Sequence, residues 1–324
     1  MNLLKECEGA KTIGISAHIR PDGDAIGSCM ALYLYLKKAV PEAIVKLFLE
    51  TPPDCFGHLK YLGEIDSTYE WEEAFDIFFA LDAASDRLGK AEAFFNNAKK
   101  KINIDHHISN ANGCGDVNMV KPQAGSTAEV LFTLFSEQYL DEDIATALYT
   151  GIIHDTGVFQ YSNTTPETMQ IGAKLISYGF PFSRIIEESF YQKTYLQNQI
   201  LGRALMESIR FMDGRCIVSC VDRKMMEFYN ALPSDLDGIV NQLRNIKGVH
   251  CAIFMYETDL MEYKVRMRSD EMVNVSKVAS YFGGGGHVRA AGCTMRGTMY
   301  DVINNLSLHI EAELKEKEAC TTES

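Results

Sequence analysis

"KTIGISAHIRPDGDAIGSCMALYLYLKKA", residues 11–39, sets a short apolar run, a polar turn and a long mostly apolar stretch in succession. The run "KTIGISA" (11–17) is short and ends at a turn, which predicts a buried strand, and 24–38 reads as a helix. Further along, "VKLFLE" (45–50), "FDIFFALD" (75–82) and "KKINID" (100–105) read as three more buried strands, and 126–138 as another helix. Such alternation predicts an α/β domain with a mostly parallel sheet flanked by helices. In such sheets ligands gather beyond the carboxyl ends of the strands. His18, Asp82 and Asp105 each fall at the end of a predicted strand.

The turn itself crowds His18, Asp22 and Asp24 into seven positions. Pro-Asp-Gly-Asp is good turn chemistry, and Asp24 is placed to cap the helix that follows. Equally, close carboxylates repel unless a cation sits between them. This segment alone leaves both readings open; three others add to it. "INIDHHISN" (102–110) has Asp105, His106 and His107 consecutive at a strand end. In "ALDAASDRLG" (80–89) Asp82 closes an apolar strand; Asp86 is also available, but it adjoins Arg87 and is expected to pair with it. In "GIIHDTGVFQYSNTTPET" (151–168) Asp155 ends an apolar helical run, and His154 before it is expected to pack or to support a ligand.

His18, Asp22, Asp24, Asp82, His106 and Asp155 are therefore candidate metal ligands. Mixed carboxylate and imidazole donors favour Mn²⁺, with Mg²⁺, Co²⁺ or Fe²⁺ as alternatives. A structural zinc site more often recruits cysteine, and these motifs hold none. Four carboxylates are too many for one divalent ion, so two ions sharing a bridging aspartate is the simpler arrangement. Two ions ~3.5–4 Å apart form a clamp for in-line attack of water on phosphorus.

The 324 residues suggest two domains, with ordinary globular values of 46% hydrophobic and 23% charged residues. A net charge of −13 argues against a long duplex as partner, since that needs a dense basic surface. No run approaches the ~18 apolar residues of a membrane span, and the N-terminus carries no export-signal pattern. Nine scattered cysteines without a CxxC pair fit the reducing cytoplasm. From 166 to 209 the pattern is helical. Strands return as "RCIVSCV" (215–221), "HCAIFMYE" (250–257) and "YKVRMRS" (263–269), with helices near 222–230 and 274–281. The expected division is a first domain over 1–185, a helical connector over 186–208, and a smaller α+β domain over 209–324 with a frayed polar tail, "KEKEACTTES".

HxRPDGDA (18–25), LDxxxDR (81–87), DHH (105–107) and DTGxFxYxNTTPET (155–168) together resemble the four motifs of the DHH phosphoesterase superfamily. "GGGGHVRAAG" (283–292) resembles the glycine-rich signature of its C-terminal DHHA1 domain. Among two-domain members, a chain of this length is similar to the bacterial nanoRNase and pAp phosphatase group, where pAp is 3′-phosphoadenosine 5′-phosphate. The resemblance implies that His18, Asp22 and Asp82 hold one metal ion. It gives the other to Asp24, Asp82, His106 and Asp155, with Asp82 bridging. It implies catalytic roles for Asp105, which orients a histidine, and for His107, which faces the scissile phosphate and assists the leaving oxygen. Gly284, Gly285, Gly286, His287 and Arg268 would bind substrate through a second phosphate; Arg266, on the same strand face as Arg268, stays open between that role and a solvated one. The glycine run also reads as a plain turn. "PQAGSTAEV" (122–130) reads best as a capping box, Ser126 with Glu129.

The implied activity is hydrolysis of very short oligoribonucleotides (nanoRNA) to mononucleotides and dephosphorylation of pAp by a two-metal enzyme. Its partners would be short RNA and nucleoside 3′,5′-bisphosphates in the cytoplasm, with no membrane; a homodimer stays open. A signalling phosphodiesterase acting on cyclic di-AMP or pApA is the nearest alternative. A non-catalytic nucleotide sensor or scaffold is the alternative from another class.

Overall fold

The apolar run at the head of the sequence becomes strand β1 (Thr12–Ser16), buried at all but its first residue. The computed structural model describes residues 2–322 and divides into two compact units, Met1–Gln192 and Lys193–Ser324. In the first unit β1 is joined by β2 (Ile44–Phe48), β3 (Ile65–Asp66), β4 (Ile77–Leu81), β5 (Lys100–Asp105) and β6 (Val117–Val120). All pair in parallel, in the order β3-β2-β1-β4-β5-β6. Every residue of β4 is buried, as a strand covered on both faces must be. The chain leaves β1 toward β2 on one side and returns to β4 on the other, so the crossovers part above these two strands. That parting is where a doubly wound sheet opens a crevice. Ser16 is in register with Ala80, and Leu81 with Ile104, so the carboxyl ends of β1, β4 and β5 lie side by side.

The helices of this unit are α1 (Leu3–Glu6), α2 (Gly23–Ala39), α3 (Glu92–Asn97), α4 (Thr127–Leu134), α5 (Glu142–Asp155), α6 (Pro166–Ile176) and α7 (Phe182–Ile186). α2 is buried nearly all round, which matches its apolar sequence. A Cβ on Gly27 would fall 2.5 Å from the Ala147 carbonyl oxygen, so glycine lets α2 and α5 touch backbone to backbone. Asp24, one turn before Gly27, is thereby brought to the α5 helix that ends in Asp155.

The second unit comprises α8 (Tyr195–Met206), β7 (Ile209–Phe211), β8 (Cys216–Val221), α9 (Arg223–Tyr229), α10 (Ile239–Arg244), β9 (Cys251–Asp259), β10 (Glu262–Ser269), α11 (Val275–Ser280), β11 (Gly285–His287), β12 (Ala290–Arg296) and α12 (Met299–Thr322). Its sheet runs β11-β12-β10-β9-β8-β7 and is mixed, with only β8 and β9 parallel. One face packs Val265, Met267 and Cys293 with Val278 of α11 and Leu306 of α12. The other packs Ala252 and Phe254 with Ile200 of α8 and Leu243 of α10. Glu187–Tyr191 is a π-helical turn at the end of the first unit, and α8 belongs to the second, whose core it joins through Ile200 and Ala204. α12 continues to Thr322, so the stretch expected to fray is helical as far as the described residues go, and the last two lie outside them.

Candidate metal centre

Asp22, not Asp24, caps α2: its Oδ1 accepts the N–H groups of Asp24 and Ala25, both at 3.1 Å. The cap must precede the first helical turn, and the helix begins one residue earlier than the sequence pattern suggests. The other Asp22 oxygen lies 3.6 Å from His18 Nε2. His18 Nδ1 meets the Ile19 carbonyl at 2.9 Å, where only an N–H can bond. That leaves the Nε2 lone pair aimed between Asp22 and Asp82, whose Oδ2 is 3.5 Å away. Asp24, freed from capping, is fully buried. Its carboxylate accepts the Ser28 hydroxyl at 3.1 Å and, at the start of α4, the N–H groups of Thr127 (2.6 Å) and Ala128 (3.0 Å).

Asp82 follows β4 directly and has φ +54°, a left-handed conformation rare for a non-glycine residue. Such strain persists where surrounding contacts over-determine it. Here the Asp82 N–H is held by the Ile104 carbonyl at 3.0 Å, and Oδ1 accepts the Thr127 hydroxyl at 2.9 Å. The turn aims the carboxylate into the crevice, toward His18, His106 and His107.

At the end of β5 a single buried carboxylate organises both histidines. Asp105 Oδ1 accepts the backbone N–H of His106 (2.7 Å) and His107 (3.0 Å) and faces His107 Nδ1 at 2.8 Å. Oδ2 accepts the Asn110 amide at 2.7 Å. His106 Nδ1 turns to the Ala124 carbonyl at 3.2 Å. Its Nε2 is buried 3.0 Å from Asp155 Oδ2, 3.6 Å from Asp82 Oδ1 and 4.0 Å from Asp24 Oδ2, yet makes no hydrogen bond.

Three groups result whose donor atoms lie within 4.8 Å of one another: His18, Asp22 and Asp82; Asp24, His106 and Asp155; and Asp82, His106 and His107. Asp82 belongs to two of them. Burial, then Asp82 and Asp155, push the Asp24 carboxyl well above the usual range. Burial pulls the two imidazoles down, but the carboxylates facing them outweigh it, Asp22 and Asp82 at His18 and Asp155, Asp24 and Asp82 at His106, lifting both to about 10. The cluster thus demands positive charge, which protons supply when no metal does. A buried imidazole nitrogen with no hydrogen-bond partner, facing three carboxylates, fits a divalent cation that would displace its proton.

Asp86 is exposed on the Ser85–Arg87 turn and lies outside all three groups. His154 packs between Phe56 and Phe190, with Nε2 3.1 Å from the Ser189 hydroxyl. Ser126 caps α4 as expected, accepting the Glu129 N–H at 3.1 Å, but Glu129 reaches back to the Gly125 N–H instead of closing a box on Ser126. Thr127, absorbed into that capping reading, touches both Asp24 and Asp82 and was missed as a support of the site. Asn103 was also missed: its amide bonds the Ala80 and Ala83 carbonyls, both at 3.0 Å, and its oxygen accepts from Asn110. An asparagine between the two buried isoleucines of β5 was the available signal.

In the second unit Arg268 pairs with Ala290, and Ala290 with His287, so the three stand in one row across β10, β12 and β11. Arg268 and His287 therefore share a face, ~10 Å apart along two strand spacings. The glycine run leads into and forms most of the edge strand of this hairpin, whose turn is Val288–Arg289. A Cβ on Gly284 would meet the Gly292 carbonyl at 2.2 Å, whereas one on Gly285 meets open space. Arg268 Nη1 donates to the Met267 carbonyl at 3.0 Å. Arg266 is ion-paired with Asp237 and lies 5.6 Å from the Tyr256 ring centroid.

Residues 12–152 match the DHH family, N-terminal domain, and residues 213–316 match the DHHA1 domain. Over 92% of its length the chain is 33% identical to the bifunctional oligoribonuclease and PAP phosphatase NrnA of Thermus thermophilus, covering 88% of that protein. The chain belongs to the DHH family. The protein of the same name from Bacillus subtilis is 28% identical over 95% of this chain and 96% of its own length. The crystal structure of an exopolyphosphatase-related protein from Bacteroides fragilis shares the fold, with TM-score 0.88 at 24% identity over 97% of this chain and 95% of that one. As a DHH protein the chain is a metal-dependent phosphodiesterase or phosphatase.

Proposed function

We propose that this DHH protein hydrolyses very short oligoribonucleotides to mononucleotides and removes the 3′-phosphate of pAp, the two activities in the names of its Thermus and Bacillus relatives. His18, Asp22 and Asp82 would hold one divalent ion, and Asp24, Asp82, His106 and Asp155 a second, Asp82 contributing to both. Manganese suits this mixed donor set best. The observation that carries the reading is His106 Nε2, buried among Asp24, Asp82 and Asp155 without a hydrogen bond. When bound, two such ions draw a nucleophile from water at neutral pH and neutralise charge on the phosphate oxygens.

The remaining work falls to the chain. Asp105 fixes the His107 ring through Nδ1, which orients Nε2 to hand a proton to the departing oxygen. Arg268 and His287, in one row of the second sheet, hold a second phosphate, with Gly284, Gly285 and Gly286 keeping that hairpin backbone close and bare. Both substrates carry such a phosphate in addition to the scissile one. Nine scattered cysteines without a CxxC pair support placement in the reducing cytoplasm. Among the described residues no helix is long and apolar enough to cross a membrane.

Purified protein with Mn²⁺ should turn over pAp, pApA and two- to four-nucleotide RNAs, and excess EDTA should abolish turnover. Full activity in EDTA would overturn the two-metal reading. A strong preference for cyclic di-AMP over pAp would move the protein to the signalling phosphodiesterases, and no turnover of any of these would leave a nucleotide sensor.

A further inference from the structure

We propose that a pocket in the first unit, next to His18, takes the nucleoside on the second side of a scissile phosphodiester, a group that pAp lacks. The inference rests on the phosphoesterase reading above. A cavity of about 260 Å³ is lined by Ile19, Glu50, Thr51, Ser67, Tyr69 and Lys90. These residues come from the segments that follow β1, β2, β3 and β4, so the cavity sits on the same carboxyl-end rim as the metal centre. Ile19 directly follows His18 and is tied by its N–H to the Arg87 carbonyl at 2.9 Å. The volume, just below the range of drug-sized pockets, suits one heterocycle with its sugar.

The wall chemistry is that of a nucleoside site. Ile19 is 40% exposed, an apolar side chain left open on a polar rim. The Tyr69 ring is braced by buried Phe48, with centroids 5.9 Å apart and planes 22° from parallel. Lys90, exposed on a flexible stem, holds its ammonium 5.6 Å from that ring centroid, so an arriving base competes with a mobile cation for the ring. Glu50 is fixed by the Arg20 N–H at 2.7 Å and offers a carboxylate to a ring N–H or amino group. The Ser67 hydroxyl hydrogen is committed to the Leu49 carbonyl at 2.9 Å, so a ligand meets that oxygen as an acceptor, suited to a ribose hydroxyl. Arg20 (φ +53°) and Tyr69 (φ +59°) flank the cavity in left-handed conformations, the kind of strain that collects at ligand sites.

The 3′-phosphate of pAp is a monoester with a nucleoside on one side only, whereas the internal phosphate of pApA has one on each side. Filling or stripping the pocket should therefore lower kcat/KM for pApA relative to pAp. Thr51→Trp fills the cavity from its exposed wall, and Tyr69→Leu removes the ring while keeping an apolar contact to Phe48. Each should reduce the pApA-to-pAp ratio about tenfold, within the range of a base stacked on an aromatic side chain. A pApA analogue with an abasic second ribose should cost the wild type about the same factor and the two variants nothing further. An unchanged ratio in both variants, or an abasic penalty absent from the wild type, would overturn the proposal. If the wild type hydrolyses neither substrate, the phosphoesterase reading fails on its own. Saturation-transfer NMR with adenosine then judges the pocket: binding lost in Thr51→Trp supports it, and binding absent or unaltered refutes it.

Discussion

Thr127→Val removes one hydroxyl from the buried edge of the metal centre and replaces it with a methyl group of the same shape. That hydroxyl donates to Asp82 Oδ1 at 2.9 Å, with both residues almost wholly buried. The Thr127 backbone N–H keeps its 2.6 Å bond to Asp24, so only the carboxylate shared between two donor groups loses a partner. A hydrogen bond to a charged group contributes about 1.5–3 kcal/mol. With ~1.4 kcal/mol per tenfold, that predicts a loss of metal affinity of roughly 10- to 100-fold, the range expected when a ligand loses its outer partner. Mn²⁺ titration by calorimetry, or competition with a chelating dye, would measure it without reference to turnover. Thr133→Val is the control on the same helix, since its hydroxyl bonds the Val130 carbonyl and Lys121, away from the centre. Wild-type Mn²⁺ affinity in a folded Thr127→Val protein would refute the idea that Thr127 positions the bridging carboxylate.

His107→Ala should lower kcat ~10²–10⁴-fold, the usual worth of general acid help, with bound metal unchanged by elemental analysis; lost metal would make His107 a ligand, as its place in the Asp82–His106 group allows. Arg268→Ala and His287→Ala should raise KM for pAp roughly ten- to hundredfold and barely change hydrolysis of bis-p-nitrophenyl phosphate, which has no second phosphate; equal losses on both would assign these residues to folding. Asp76 ties the starts of β1 and β4 together, bonding Lys99 at 2.7 Å and the N–H groups of Lys11 (2.8 Å) and Thr12 (3.1 Å). Those partners, Lys99 first, lower its carboxyl from 3.8 to about 2. A lowered folded-state value means the contribution is complete above pH 4 and fades as pH falls toward 2. Asp76→Asn should therefore cost about 1–2 kcal/mol at pH 7, after allowance for solvent screening, and only a small part of that at pH 2; equal urea midpoints at pH 7 would contradict this.

β1 and β4 were legible because each is a short, mostly apolar run buried on both faces, and β2 and β5 because apolar residues mark their buried carboxyl-terminal halves despite Lys46, Lys100 and Lys101. β3 is two residues long, and β6 lies at the sheet edge without a fully buried residue, so neither carries that signal. β12 begins Ala-Ala-Gly, small residues that fit the sheet because Gly284 presses against them, a contact visible only once the hairpin is closed. Only the end of α12, from Lys315, reads as a frayed tail because it is charged, whereas Leu306, Ile310 and Leu314 upstream are buried in the second core. Ion pairs from Lys277 to Glu313 and Glu316 further secure the helix.

The residue types of the metal centre were present in the linear order of the motifs, because carboxylates and imidazoles at strand ends are a chemical statement that needs no coordinates. Which oxygen of which aspartate is free to bind was not. Asp22 divides its two oxygens between a helix cap and His18, and Asp24 depends on N–H groups 103 and 104 residues away in sequence. Asp82 reaches the crevice only through a backbone turn of φ +54° secured by the neighbouring strand. Local patterns record what a segment buries, since burial acts on each side chain where it stands. Hydrogen-bond partners and strained turns are set by segments that meet only after the sheet has assembled, and those meetings decided which donors face one another in the crevice.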